Sequence, residues 1–136
     1  MSIISFRGEN RFLSNFYPSS IQLEDGVYSN VEAAFQSRKT DIPEEREEIR
    51  KLTNPVMAKR RGRKVTLRPN WDKVKLGIMY DFVLQKFTEH EDLKLKLLAT
   101  GNEELVEMLR GRVTWNNHLG RILMKVRSEL QTGEVK

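Results

Sequence analysis

The chain contains no cysteine, only two histidines and four prolines, and nowhere a long unbroken run of apolar residues. Without cysteine, neither disulfides nor thiolate ligands can hold the fold, and a reducing compartment is favoured. His90 and His118 have no companion at ligand spacing, which argues against a metal centre. No stretch approaches the ~20 apolar residues that span a bilayer. Met1-Ser2-Ile3-Ile4-Ser5-Phe6-Arg7 lacks the basic start and apolar core of a secretory leader. The expected location is the cytoplasm, with no membrane partner. Gly-x-Ser-x-Gly and Gly-x-x-x-x-Gly-Lys are also missing, so neither a serine elbow nor a phosphate loop is available.

What is present describes an ordinary globule with a charged surface: 136 residues, 38% apolar and 32% charged. That length suits one domain over residues 1–136, and no repeat or linker interrupts it. The net charge is +5. Lys59, Arg60, Arg61, Arg63, Lys64 and Arg68 form a basic run, and Asp41, Glu44, Glu45, Glu47 and Glu48 form its acidic counterpart upstream. Such runs are most often solvated faces. The functional alternative is a basic rim that attracts phosphate, in small molecules or nucleic acid.

Hydrophobic patterning predicts an α+β fold, predominantly helical with a small N-terminal hairpin or sheet. Asp25-Gly26 between Ile21-x-Leu23 and Val27-Tyr28 is the hairpin signal. Val31, Ala34, Phe35 and Arg38 then share a helical face that Pro43 stops or restarts, and residues 44–52 continue as a charged helix. Asn54-Pro55 opens a third helix, with Gly62 as its end. Asn70 is a good N-cap for a long helix from Trp71 through Phe87, with Leu76 expected beside its apolar stripe. A helix over Leu93, Leu97 and Leu98 closes at Thr100-Gly101. A short turn over Leu105, Val106 and Leu109 leads to a last helix carrying Leu119, Ile122, Leu123, Val126 and Leu130.

Acid chemistry beside an aromatic, polar segment is what remains for function. Leu13-Ser14-Asn15-Phe16-Tyr17-Pro18 mixes stacking rings with small hydrogen-bonding groups, as a heterocycle site requires. Glu32 lies at the first turn of a helix, where the dipole stabilises an anion and suits a base better than an acid. Its spacing also fits a capping box, Ser29-x-x-Glu32, and spacing alone favours that bland role.

The pattern as a whole resembles the NADAR, or YbiA-like, family. Leu13-Ser14-Asn15-Phe16-Tyr17, Asp25-Gly26 and Tyr28-Ser29-x-x-Glu32-x-x-Phe35-Gln36-x-x-Lys39 carry its opening. Pro55-x-x-Ala58-Lys59-x-x-Gly62-Arg63, Asn70-Trp71, Lys86-Phe87, Leu97-Leu98-x-Thr100-Gly101 and Leu105-Val106-Glu107 continue it, and Asn117-x-Leu119-Gly120-x-x-Leu123-Met124-x-x-Arg127 closes it. The resemblance implies an N-glycosidase acting on a ribosylated heterocycle, either a phosphoribosylamino intermediate of riboflavin synthesis or ADP-ribosylated guanine. It implies catalytic roles for Glu32 and Trp71, and substrate contacts from Asn15, Phe16, Lys39 and Asn117. Water is the nucleophile, so no cofactor is implied. The partners implied are a small ribosylated or ADP-ribosylated substrate and, as an alternative, ADP-ribosylated nucleic acid.

Each role has a plainer counterpart. Trp71 could simply cover a helix start, Lys39 could be a solvated helix lysine, and Asn15 and Phe16 could be a turn and a core ring. One departure stands out. The family's Asp-x-x-Trp-Gly after Leu-Val-Glu is missing: Met-Leu-Arg-Gly-Arg-Val-Thr-Trp-Asn fills residues 108–116, and no aspartate follows Asp92. No second acid is therefore assigned, and Trp115 is expected to be a core anchor. Two further hypotheses stay open: a silent binder of ADP-ribose or phosphoribosyl compounds, and a nucleic-acid-binding module using residues 59–68.

Overall fold

A computed structural model of the chain describes residues 2–133. In order, its elements are β1 (Ser2–Ile3), β2 (Ile21–Leu23), β3 (Gly26–Tyr28), α1 (Val31–Ser37), α2 (Pro43–Arg50), α3 (Pro55–Gly62), α4 (Trp71–Glu89), α5 (Glu91–Ala99), β4 (Glu104–Leu105), β5 (Met108–Leu109), β6 (Arg112–Val113) and α6 (His118–Thr132). Helix dominates and the strands are short, as patterning predicted. No helix is long and apolar enough to cross a membrane among the described residues. Contacts divide the chain into two compact units: a central one, Asn15–Phe82, and a terminal one of residues up to Ser14 together with those from Val83 onward.

The central unit holds the predicted hairpin, with Ile21 opposite Tyr28 and Leu23 opposite Gly26. It is tied down by charge. Arg38, just past α1, grips Asp25 with two guanidinium nitrogens at 2.7 and 3.2 Å, while the Tyr28 hydroxyl donates to the same carboxylate at 2.7 Å. Partial burial opposes ionisation of Asp25, but the bonds from Arg38 and Tyr28 outweigh it and hold its pKa at about 2. Helix α1 is buried along its whole length. Helix α3 begins as expected, Asn54 capping it by accepting from the amides of Val56 and Met57. Gly62 does not serve as the left-handed terminator expected of it. It lies inside the last turn, buried, for a reason given below.

Helix α4 starts at Trp71, where the Asn70 carbonyl accepts from Val74. Its buried residues are Trp71, Met79, Phe82, Val83, Lys86 and Phe87, and Leu76 is exposed. The expected stripe is buried from Met79 through Phe87, Trp71 extends it at the helix start, and Leu76 falls outside it.

In the terminal unit, Phe6, Phe12, Leu13, Val83, Phe87, Leu93, Leu97, Leu105, Leu119, Leu123 and Val126 are all buried. The turn expected over Leu105–Leu109 is instead strand: β4 pairs in parallel with β1, and β5 with β6 in an antiparallel hairpin. Two-residue strands are too short to show period-two alternation, and the partner of β4 is a hundred positions away in sequence. Trp115, Asn116 and Asn117 then run consecutively through left-handed backbone, with φ of 48°, 51° and 55°. Trp115 is no core anchor. It is 38% exposed and meets the His118 ring edge-on at 5.0 Å.

Candidate active site

Helix α1 begins one residue later than the capping box requires. Its N-cap is Asn30, whose Oδ1 accepts from the amide of Ala33 at 2.8 Å and whose Nδ2 donates to the Thr53 carbonyl at 3.2 Å. Ser29 lies outside the helix, its carbonyl accepting from the Ser19 amide. Glu32 is therefore the second helical residue, and its carboxylate does not close a box. Instead Gln36, one turn on, donates from Nε2 to Glu32 Oε2 at 2.6 Å. The carboxylate is buried, and it receives an N–H, which suits an acceptor of protons rather than a donor.

Two further features adjoin it. The Asn15 carbonyl accepts the Glu32 amide at 3.1 Å, which ties the Leu-Ser-Asn-Phe-Tyr segment to the start of α1. The Asn15 side chain is buried, with Nδ2 donating to the Met79 sulfur at 3.2 Å. Among the described residues nothing donates to its amide oxygen, or to that of Gln36. A buried acceptor left so costs about 1–3 kcal/mol, and such atoms concentrate where a ligand completes them. Phe16, next in sequence, is 36% exposed and so is not the core ring of the plainer reading.

Gly62 explains how Gln36 reaches Glu32. A Cβ at position 62 would overlap the Gln36 side-chain amide, so any larger residue there would force that side chain to move. Trp71 is 6% exposed and lies against Phe35 at 5.0 Å between ring centres, tilted by 53°. Phe35 in turn follows Glu32 by one helical turn. Lys39 lies past the end of α1, half-buried, its amide bonded to the Gln36 carbonyl and its carbonyl accepting from Arg68 at 2.7 Å. Burial pushes the Lys39 ammonium below the usual lysine range. Glu32 opposes that shift, and Arg63, Lys59 and Lys75 reinforce it.

Of the residues singled out from sequence, Asn15 and Glu32 are joined through the backbone, Trp71 meets Phe35 one turn after Glu32, Lys39 lies past the end of the same helix, and Phe16 adjoins Asn15, all in the central unit. Asn117 belongs to the terminal unit, where its side chain is committed to backbone. Its Nδ2 donates to the Leu105 carbonyl at 3.1 Å and its Oδ1 accepts from the Glu107 amide at 3.0 Å. Gly120 leaves room for this clasp, since a Cβ there would strike both the Leu105 carbonyl and the Asn117 amide. The residues assigned no role from sequence are Gln36 and Gly62. Glu-x-x-x-Gln on a buried helical face was the available signal for the first; nothing local marks the second.

The protein is a helix-rich α+β fold with a buried carboxylate bonded by a side-chain amide on a short helix. Comparisons with known proteins agree with it. Residues 5–131 match the NADAR domain family. N-glycosidase YbiA of Escherichia coli strain K12 is 35% identical over 127 residues, covering 86% of this chain and 79% of that protein. An N-glycosidase of Nostoc punctiforme is 37% identical over 135 residues, covering 87% and 84%. A riboflavin biosynthesis protein of Vibrio vulnificus is 34% identical over 130 residues, covering 88% of this chain and 35% of that protein. The NMR structure of E. coli YbiA superposes with a TM-score of 0.86 at 31% identity, covering 100% of this chain and 87% of that one. The chain belongs to the NADAR domain family.

Proposed function

We propose that this protein is an N-glycosidase that hydrolyses the bond between ribose C1′ and a heterocycle or amino nitrogen, with Glu32 as its carboxylate. The observation that carries the reading is the Gln36–Glu32 bond, which orients a buried carboxylate in the first turn of α1. Relatives that bear the name N-glycosidase, at comparable length, support the reaction class. As the C1′–N bond breaks, its electron pair leaves with nitrogen and positive charge grows on the ribose. Glu32 stabilises that charge and takes a proton from the water whose oxygen bonds to C1′. The proton is then available to the departing nitrogen.

The orphan oxygen of Asn15 accepts an N–H of the base, and Phe16 offers it a face. Trp71 and Phe35 form the wall behind Glu32, and Lys39 takes the ribose or its phosphate. The preferred substrate is a phosphoribosylamino intermediate of riboflavin synthesis, a choice supported by the name of the Vibrio relative; ADP-ribosylated guanine is the alternative. A second reading, binding without cleavage, is favoured by one observation: the β5–β6 hairpin and left-handed turn occupy the stretch where Asp-x-x-Trp-Gly is missing. Mass spectrometry after incubation with both substrate types in ¹⁸O-labelled water separates the two. The N-glycosidase reading expects free base and a ribose carrying the label at C1; tight binding with no product supports the silent binder.

A further inference from the structure

Among the described residues, two cations are buried in the terminal unit, Lys86 and Arg127. Arg127 has a packing role: it donates to Thr100 Oγ1 at 2.8 Å and so ties α6 to the end of α5. Lys86 holds something else. Its Nζ faces the Phe87 ring at 5.0 Å and donates to the backbone carbonyl of Ser14 at 2.9 Å, and the residue is 1% exposed. Burying an amine is costly unless its new bonds replace those it made to water. Methionine would fill similar space in this aromatic and aliphatic interior without that cost. What lysine adds is its grip on one particular carbonyl.

Ser14 immediately precedes Asn15 in the chain. A peptide group is planar, so the Ser14 carbonyl and the Asn15 nitrogen and Cα move as one body. On its other side Ser14 is fixed by its own amide, which donates to the Arg11 carbonyl at 3.0 Å. One residue on, Asn15 Nδ2 donates to the Met79 sulfur at 3.2 Å. Met79 and Lys86 are two turns apart on α4 and lie on one face of it. Consecutive residues of the Leu-Ser-Asn-Phe-Tyr segment are thus pinned at two points of a single helix. The Asn15 carbonyl in turn accepts the Glu32 amide at 3.1 Å. Between Lys86 and the backbone of Glu32 stand only these two hydrogen bonds and the main chain of Ser14 and Asn15.

We propose that Lys86 is a positioning residue for the candidate site: by holding the Ser14 carbonyl it fixes the Asn15 backbone and, through the Asn15 carbonyl, the first turn of α1 at Glu32. Lys86 touches no substrate in this account. It acts through the main chain, and its effect falls on where the carboxylate and the Asn15 side chain stand. That the site so held cleaves an N-glycosidic bond rests on the N-glycosidase reading; the link from Lys86 to Glu32 does not.

Amide hydrogen exchange of the full chain, followed by NMR, tests the link without any ligand. In Lys86→Met, exchange at Glu32, whose amide donates to Asn15, should quicken about tenfold or more relative to Ala34, whose amide donates to Asn30 in the same turn. A general loss of stability quickens both alike, so an unchanged ratio of the two rates would overturn the proposal. Should Lys86→Met not fold, the ratio is read in Lys86→Gln, whose side chain is polar but too short for the same reach, with the same two outcomes. The same preparation is assayed with the ribosylated substrate that the wild type cleaves. There kcat should fall about tenfold or more, since misplacing a reacting group is felt in the chemical step. A quickened ratio with wild-type kcat would also overturn the positioning role. A quickened ratio in a protein whose wild type cleaves neither substrate type would leave the link standing and sink the N-glycosidase reading. Wild-type kcat with an unchanged ratio would do the reverse.

Discussion

The central and terminal units differ in what they bury. Of the ten buried polar or charged residues among those described, eight lie in the central unit: Asn15, Ser19, Asn30, Glu32, Gln36, Ser37, Arg38 and Thr40. The terminal unit has Lys86 and Arg127 in an otherwise aliphatic and aromatic interior. Burying polar groups is costly unless each is partnered. The central unit meets that cost with local bonds, such as Ser37 to the Ala34 carbonyl and Thr40 to Glu45, yet leaves the oxygens of Asn15 and Gln36 without protein donors. The terminal unit has one such atom, Glu103 Oε2, beside an interior that is otherwise mostly aliphatic and aromatic. Among the described residues, polar burial is thus concentrated in the central unit.

Lys86 is the exception that sharpens the comparison, and it carries the largest expected effect. Its ammonium donates to the Ser14 carbonyl at 2.9 Å, and burial lowers its pKa from 10.5 to about 7. Between those values the unfolded chain binds more protons than the folded one. Stability should therefore rise as pH rises from about 7 to 10.5, with the full penalty of a buried cation present below 7. The total swing is a few kcal/mol. Urea unfolding across that range should show the slope in the wild type and not in Lys86→Met. An identical slope in both would mean that another group carries it.

Next in size is Gly62→Ala. The added methyl meets the end of a flexible side chain, so the fold should survive, but Gln36 must swing away from Glu32. Misplacing a reacting group by about 1 Å can cost ~10² in rate. We expect kcat to fall by ~10² with little change in melting temperature. Adding Gln36→Ala should cost nothing further, because both changes remove one interaction. Additive losses would separate the two residues.

Capping gives a smaller effect, in stability alone. Asn30→Ala should cost about 1–2 kcal/mol through loss of the Ala33 cap bond, while Ser29→Ala should cost almost nothing. Chemical denaturation of the pair decides it; the reverse order would restore the capping box. The smallest effect belongs to Asp25. Its folded pKa of about 2 lies below the ordinary 3.8, so its contribution is present above 3.8 and is lost as pH falls toward 2. Solvent screening of this partly exposed pair keeps the loss small. Arg38→Met should remove that acid-side step, seen by circular dichroism during acid titration.

Much of the fold was legible because its signals are local. Asp25-Gly26 marked the hairpin, Asn54-Pro55 the start of α3 and Asn70-Trp71 that of α4, each within a residue or two of the observed boundary. The pairing of β1 with β4 was not legible, since nothing in Ser2-Ile3 or Glu104-Leu105 announces a partner so distant in sequence. Glu32 was legible as an acid at a helix start, but its role was ambiguous by one residue of register. Ser29 and Asn30 are both good caps, and only tertiary contact with Thr53 decides for Asn30. Gly62 read as a terminator because sequence shows that a glycine is needed, not whether conformation or close approach requires it. Trp115 read as an anchor because large rings are usually buried, whereas three left-handed residues in a row carry it outward.

Glu32→Gln, assayed for turnover and for stability on the same preparation, tests the central claim most directly. The amide can still accept from Gln36, so melting temperature and substrate affinity should match the wild type. It carries no negative charge to oppose the oxocarbenium ion and cannot take a proton from water. Release of free base from the ribosylated substrate that the wild type cleaves should fall by ~10² or more at unchanged KM. Wild-type kcat in the folded Glu32→Gln protein would contradict the account.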